Sequence, residues 1–104
     1  MTQLTAIDLF SIKDKVVVIT GASSGLGVSF AEAFSQAGAD VAMGARRLDR
    51  LAQTASLVRA NGRRALPVAT DVADPDSCQA LVDSTIDEFG QVDVLINNAG
   101  IGTA

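Results

Sequence analysis

The run Val16-Val17-Val18-Ile19-Thr20-Gly21-Ala22-Ser23-Ser24-Gly25-Leu26-Gly27 decides the fold. Val16–Thr20 is unbroken β-branched sequence. Such a stretch suits a strand buried on both faces, as in a parallel sheet. Gly21 ends it, and a glycine-rich turn, GASSGLG, follows. Beyond the turn, Phe30, Ala33, Phe34 and Ala37 recur at helical spacing, predicting a helix from about Leu26 to Ala37 with one apolar stripe. Gly38 is placed as its stop.

The same alternation continues along the chain. Asp40–Ala45 (DVAMGA) reads as a second strand. Leu48 to about Ala60 reads as a second helix, with Leu48, Leu51, Ala52, Ala55 and Val58 on one face and Asn61-Gly62 closing it. Ala65–Thr70 (ALPVAT) is a third strand, which Pro67 marks as an edge strand or its start. Asp74-Pro75 opens a third helix, Asp as N-cap and Pro at the first helical position. Its apolar face carries Cys78, Leu81, Val82, Ile86 and Phe89, and Gly90 ends it. Val92–Ile96 (VDVLI) is a fourth strand, running into Asn97-Asn98-Ala99-Gly100. Residues 1–15 read as a lead-in arm. The order β-α-β-α-β-α-β with short connections predicts an α/β fold, a doubly wound parallel sheet.

Composition narrows the chemistry. A chain of 104 residues allows one domain at most, and 48% hydrophobic with 19% charged residues is a globular composition. His, Trp and Tyr are absent, so no mechanism that needs an imidazole or a phenol can be completed within the chain. The absence of His also excludes the usual metal sets that use it, and Cys78 alone builds neither a thiolate cage nor an intrachain disulfide. A lone cysteine fits a reducing compartment. The N-terminal MTQLTAIDLFSIKDK lacks the pattern of a signal peptide, and the apolar stretches are too short to span a bilayer. A cytoplasmic location is expected. Net charge −4 does not favour nucleic acid or anionic membrane as partners. All six Arg lie between Arg46 and Arg64, and no basic residue occurs from Asp71 onward. That asymmetry is either two solvated helix faces of opposite sign or an anion site within the Arg stretch.

The glycine turn is where an anion would sit. One of Gly21, Gly25 and Gly27 permits the tight turn, one lets the backbone approach a pyrophosphate, and one allows close helix-to-strand packing. The following helix offers unpaired N–H groups and a positive dipole end, and Ser23 and Ser24 add hydroxyl donors. The spacing is G-x-x-x-G-x-G rather than the commoner G-x-G-x-x-G. Glycines are frequent in loops; the placement between a β-branched strand and an amphipathic helix gives these their weight.

The end of the second strand bears on nucleotide choice. An Asp or Glu there, about 20 residues past the glycines, holds the ribose 2′-OH of NAD in many dinucleotide-binding folds. Here Ala45 is followed by Arg46 and Arg47. Guanidinium groups pair bidentately with phosphate, which favours NADP(H), with its 2′-phosphate, over NAD(H). The alternative is a pair of solvated helix-start residues, although cations are disfavoured near a helix N-terminus. Ligands in this fold gather beyond the carboxyl ends of the strands. Asp71, followed by Val72, either accepts a hydrogen bond from an adenine amino group or serves as a turn residue. Asn98, Ala99 and Gly100 either leave room for a ribose or make an ordinary turn.

Thr20-Gly21-Ala22-Ser23-Ser24-Gly25-Leu26-Gly27, then Asp71-Val72, then Asn97-Asn98-Ala99-Gly100 resemble the motifs of the short-chain dehydrogenases/reductases. The resemblance runs from about Leu9 to the last residue. It implies a Rossmann-type fold and an NAD(P)-dependent oxidoreductase that moves a hydride between nicotinamide and a carbonyl or alcohol carbon. It implies that the turn from Thr20 through Leu26 to Gly27 holds the cofactor pyrophosphate, and that Arg46, alone or together with Arg47, selects NADP. It further implies that Asp71 and Val72 contact adenine, and that Asn98, Ala99 and Gly100 line the cofactor cleft. Oligomerisation is expected of a complete family member.

The departure from the family pattern is large. Its active site uses a Ser and a Tyr-x-x-x-Lys pair downstream of Asn-Asn-Ala-Gly. This chain has no Tyr, and its only lysines, Lys13 and Lys15, precede the first strand. The chain is therefore expected to be a single partial domain, residues 1–104, ending just past the fourth strand. It is expected to be the cofactor-binding fragment of an NADP-dependent oxidoreductase, inactive alone. The alternative is a stand-alone nucleotide-binding module or sensor without catalysis.

Overall fold

The computed structural model describes residues 12–23 and 25–98. Strands β1 (Val16–Thr20), β2 (Asp40–Ala45), β3 (Ala65–Ala69) and β4 (Val94–Asn97) alternate with helices α1 (Gly25–Gln36), α2 (Leu48–Ala60) and α3 (Pro75–Phe89). The strands form one sheet in the order β3-β2-β1-β4, every pair parallel. This is the doubly wound order, reversing direction beside β1. Pro67 lies on β3, an edge strand, where its missing N–H costs least.

Every residue of β1 and β2 is buried, as befits the two central strands of a parallel sheet. Val17, Ile19, Val41 and Met43 pack on one face with Ala31 and Phe34 of α1 and Leu51, Ala55 and Val58 of α2. Val18 and Ala42 face the other way, onto Leu81 of α3.

The helix termini follow their capping residues. Asp74 accepts the Asp76 N–H at 3.0 Å, Pro75 opens α3, and Gly90 closes it with its N–H on Ile86 O at 2.8 Å. The inward faces differ from the predicted stripes. In α1 the buried set is Gly27, Ala31, Phe34 and Ser35, with Phe30 and Ala33 half-buried, because Gly27 is pressed against the preceding turn; Ala37 lies just past the helix end, half-buried. In α2, Thr54 takes an inward position while Leu48 is 52% exposed and Ala52 is exposed. The Thr54 hydroxyl satisfies a loop carbonyl there, which a hydrocarbon cannot do. In α3, Leu81 and Thr85 are buried, whereas Ile86 is 46% exposed.

The fourth strand starts later than predicted, at Val94, and runs to Asn97. The reason is Asp93. Its side chain accepts the Val16 N–H at 2.8 Å, while its own N–H donates to Val16 O at 2.9 Å. A carboxylate thus replaces a strand carbonyl. The third strand ends at Ala69, one residue before the predicted Thr70.

The amino end of the sheet is tied by charge. Asp40, at the start of β2, has only 5% of its side chain exposed. The Arg64 side chain donates to its Oδ2 from two nitrogens, at 2.7 and 3.0 Å, and the Arg64 N–H donates to its Oδ1 at 2.9 Å. Arg63 Nε lies 3.2 Å from Asp40 Oδ1. Burial pushes this carboxyl up, but the Arg64 hydrogen bonds and the adjacent Arg63 charge outweigh it and hold Asp40 below the ordinary carboxylate range. The Arg64 guanidinium also lies over the Phe89 ring, 4.6 Å from its centroid, joining the end of α3 to the same cluster. Lys13 and Lys15 stand at this end too, a strand length from the glycine turn.

Candidate functional site

The turn between β1 and α1 lies at the carboxyl edge of the sheet and is fixed from three sides. The Gly21 and Ala22 N–H groups both donate to Gly44 O of β2, at 2.7 and 3.4 Å. Thr54 of α2 donates its hydroxyl to Ala22 O at 2.9 Å. The Asn98 side-chain amide donates to Gly21 O at 3.1 Å. Beside them, Thr20 and Asn97 are register partners on β1 and β4, and the Thr20 hydroxyl donates to Asn97 Oδ1 at 3.0 Å.

Gly25 and Gly27 differ in what they permit. A Cβ on Gly27 would collide with Gly21 O and stand 2.9 Å from Ala22 Cα, so α1 can approach the turn only with glycine there. Gly25 has φ +56°, and a Cβ on it would meet nothing within 4 Å. The backbone is therefore bare on the side where the helix begins. The first N–H groups of α1 have no intrahelical acceptor, and no acidic side chain stands in its first turn. An open backbone, N–H groups without an intrahelical acceptor and a positive helix end fit a pyrophosphate. Ser23 is half-buried in the turn and Leu26 is exposed, while Ser24 lies outside the described residues.

The end of β2 carries the arginines onto the same edge. Arg46 is 73% exposed and its Nη2 meets Asp71 Oδ1 at 3.3 Å. Arg47 precedes α2 and forks onto its own neighbour Asp49, Nε to Oδ1 at 3.1 Å and Nη2 to Oδ2 at 2.9 Å. That fork raises the Arg47 pKa above its usual value and lowers that of Asp49. Asp71 also accepts the Ala73 N–H on Oδ1 at 3.0 Å, so it organises the turn after β3 while facing Arg46. Val72 is exposed next to it. A cleft of about 110 Å³ opens alongside, lined by Thr20, Val72, Cys78, Leu81, Leu95 and Asn97 among others. Asn98 is placed against the turn; Ala99 and Gly100 lie outside the described residues.

Three residues that shape this edge were not singled out by sequence. Gly44 supplies the carbonyl under the turn, and a Cβ on it would stand 2.6 Å from Leu81 Cδ2 and 2.7 Å from Thr70 Oγ1. Glycine inside a strand was the available signal, since it marks close approach. Thr54 was legible as a polar residue three positions after Leu51 on an inward face. Asn97 was quoted in a motif, but its pairing with Thr20 depends on strand register.

The family model for short chain dehydrogenases matches residues 15–104. The chain belongs to the short chain dehydrogenase family. An uncharacterized oxidoreductase of Mycobacterium tuberculosis is 45% identical over 94 residues, 90% of this chain and 36% of its own length. The peroxisomal 2,4-dienoyl-CoA reductase of Danio rerio is 43% identical over 99 residues, 94% of this chain and 32% of its own. Among solved structures, L-sorbose reductase from Gluconobacter frateurii, complexed with NADPH and L-sorbose, superposes with a TM-score of 0.81 at 48% identity, covering 88% of this chain and 35% of the other. Carveol dehydrogenase from Mycobacterium avium, complexed with NAD, gives 0.82 at 32% identity, covering 89% and 38%. This short chain dehydrogenase sequence thus spans about a third of the length of the relatives it matches. Among its described residues, no helix is long and apolar enough to cross a membrane.

Proposed function

We propose that this chain is the cofactor-binding part of an NADP-dependent oxidoreductase, an enzyme moving a hydride between nicotinamide and a carbonyl or alcohol carbon. The observation that carries the NADP reading is the pair Arg46 and Arg47, 73% and 62% exposed, at the carboxyl end of β2 beside an open glycine turn. Gly21 to Gly27 would hold the pyrophosphate on backbone N–H groups, Arg46 with Arg47 the 2′-phosphate, Asp71 and Val72 the adenine, and Asn98 would brace the turn. Family membership alone does not choose the nucleotide, since the neighbours include complexes with both NADPH and NAD.

Titration of NADPH and NADH against the purified chain, read by cofactor fluorescence, tests this. Trp and Tyr are absent, so protein background is low. NADPH is expected to bind more tightly. Arg46→Ala should weaken NADPH on the order of tenfold through a lost charge-assisted contact, and leave NADH nearly unchanged. Equal loss for both would contradict the 2′-phosphate role. Lys13 and Lys15 are the only lysines, both at the amino end of β1, and Tyr is absent. Binding without turnover is therefore expected of this chain; steady NADPH oxidation with any aldehyde or ketone in a substrate panel would overturn that.

A further inference from the structure

The two arginines at the end of β2 are not equivalent. Among the described residues Arg46 makes one long contact, 3.3 Å to Asp71, which leaves most of its fork for a ligand. Arg47 presents its fork to both oxygens of Asp49 at 2.9 and 3.1 Å. Its backbone is also held, because Arg47 O accepts the Arg50 and Leu51 N–H groups, each at 3.1 Å. Only the side chain can turn, and Asp49 already occupies it with the planar two-oxygen geometry that a phosphate would use.

We propose that Asp49 stands in for the cofactor's 2′-phosphate on Arg47, and is thereby a specificity-determining residue that limits discrimination between NADP and NAD. The proposal rests on the NADP reading above. A 2′-phosphate that engages Arg47 must displace the Asp49 carboxylate and approach its negative charge. Arg46 then supplies most of the recognition, and Arg47 contributes fully only when Asp49 is neutralised.

The test uses the full chain, with adenosine 2′,5′-bisphosphate as the phosphate probe and adenosine 5′-monophosphate as the control, both followed by titration calorimetry. Asp49→Asn should tighten the bisphosphate about two- to fivefold, the range that an exposed ion pair supplies, and leave the monophosphate unchanged. Arg47→Ala should cost little alone and abolish the gain when combined with Asp49→Asn. A merely structural role for Asp49 at the start of α2 would move both probes together. Equal shifts, or no shift in a bisphosphate affinity that still depends on Arg46, overturn the role of Asp49 and leave the NADP reading standing. No preference for the bisphosphate in any variant overturns both. Should Asp49→Asn fail to fold, Arg47→Ala still decides: a bisphosphate loss as large as that of Arg46→Ala means that Arg47 was never masked.

Discussion

Gly25 and Gly27 sit two residues apart at the head of α1 and meet opposite demands. Gly27 must be small because α1 lies against Gly21 O, and Gly25 must be bare because its φ is +56° and its open side faces the helix end. Gly27→Ala forces α1 away from the turn and should cost about 1–3 kcal/mol, as overpacking does. Gly25→Ala meets no atom and should cost about 1–2 kcal/mol from its left-handed backbone alone. Chemical denaturation of the two variants checks the contrast. Gly25→Ala should weaken NADPH with α1 left in place, while Gly27→Ala should shift α1, lose more stability and weaken NADPH as well. At this scale the sequence was readable for residue types and silent on partners. Arg46 and Arg47 stand out as basic residues where a carboxylate is usual, but Asp71, the partner of Arg46, is 25 positions away. Only strand order brings β3 beside β2 and sets Asp71 in reach.

Among the elements, α2 does more than cover the sheet. Thr54 reaches from its inward face to Ala22 O, so this helix holds the glycine turn as well as Met43 and Val41. Thr54→Val keeps the shape and strands that carbonyl. It should cost about 1–3 kcal/mol in a denaturant melt, the penalty of a buried acceptor left unsatisfied, and weaken NADPH with it. Asp74→Ala removes the cap of α3 and should cost about 1 kcal/mol without affecting the cofactor. Element boundaries were legible where capping chemistry is local, as at Asp74-Pro75 and Gly90. They were not where a side chain imitates the backbone: Asp93 occupies the ladder position opposite Val16 and delays β4. The helix faces were misread for a related reason. Hydrophobicity ranks Leu48 above Thr54, but Thr54 is buried with its hydroxyl on Ala22 O, while Leu48, at the first position of α2, is 52% exposed.

Across the whole molecule the parallel sheet has two unlike ends. The amino end is closed by Asp40 with Arg63 and Arg64, and the carboxyl end collects the glycine turn, Arg46, Asp71 and Asn98. Regular alternation with right-handed crossovers leaves few ways to wind the sheet, and β3-β2-β1-β4 is one of them. Asp40 makes stability depend on acid. Its folded pKa is lowered, so its contribution is complete above the unfolded value of about 3.9 and disappears as pH falls through the folded value. Thermal midpoints should therefore hold near neutrality and drop below about pH 4, and Asp40→Asn should be less stable at pH 7 with a shallower acid limb. A parallel acid limb in the variant would locate the titration elsewhere. The double acceptor at Gly44 O has a kinetic consequence. Gly21 and Ala22 take their hydrogen bonds from the neighbouring strand rather than from within the loop. The Gly21 bond crosses to β2 like the ladder itself, so deuterium should reach Gly21 no faster than it reaches the amides joining β1 to β2.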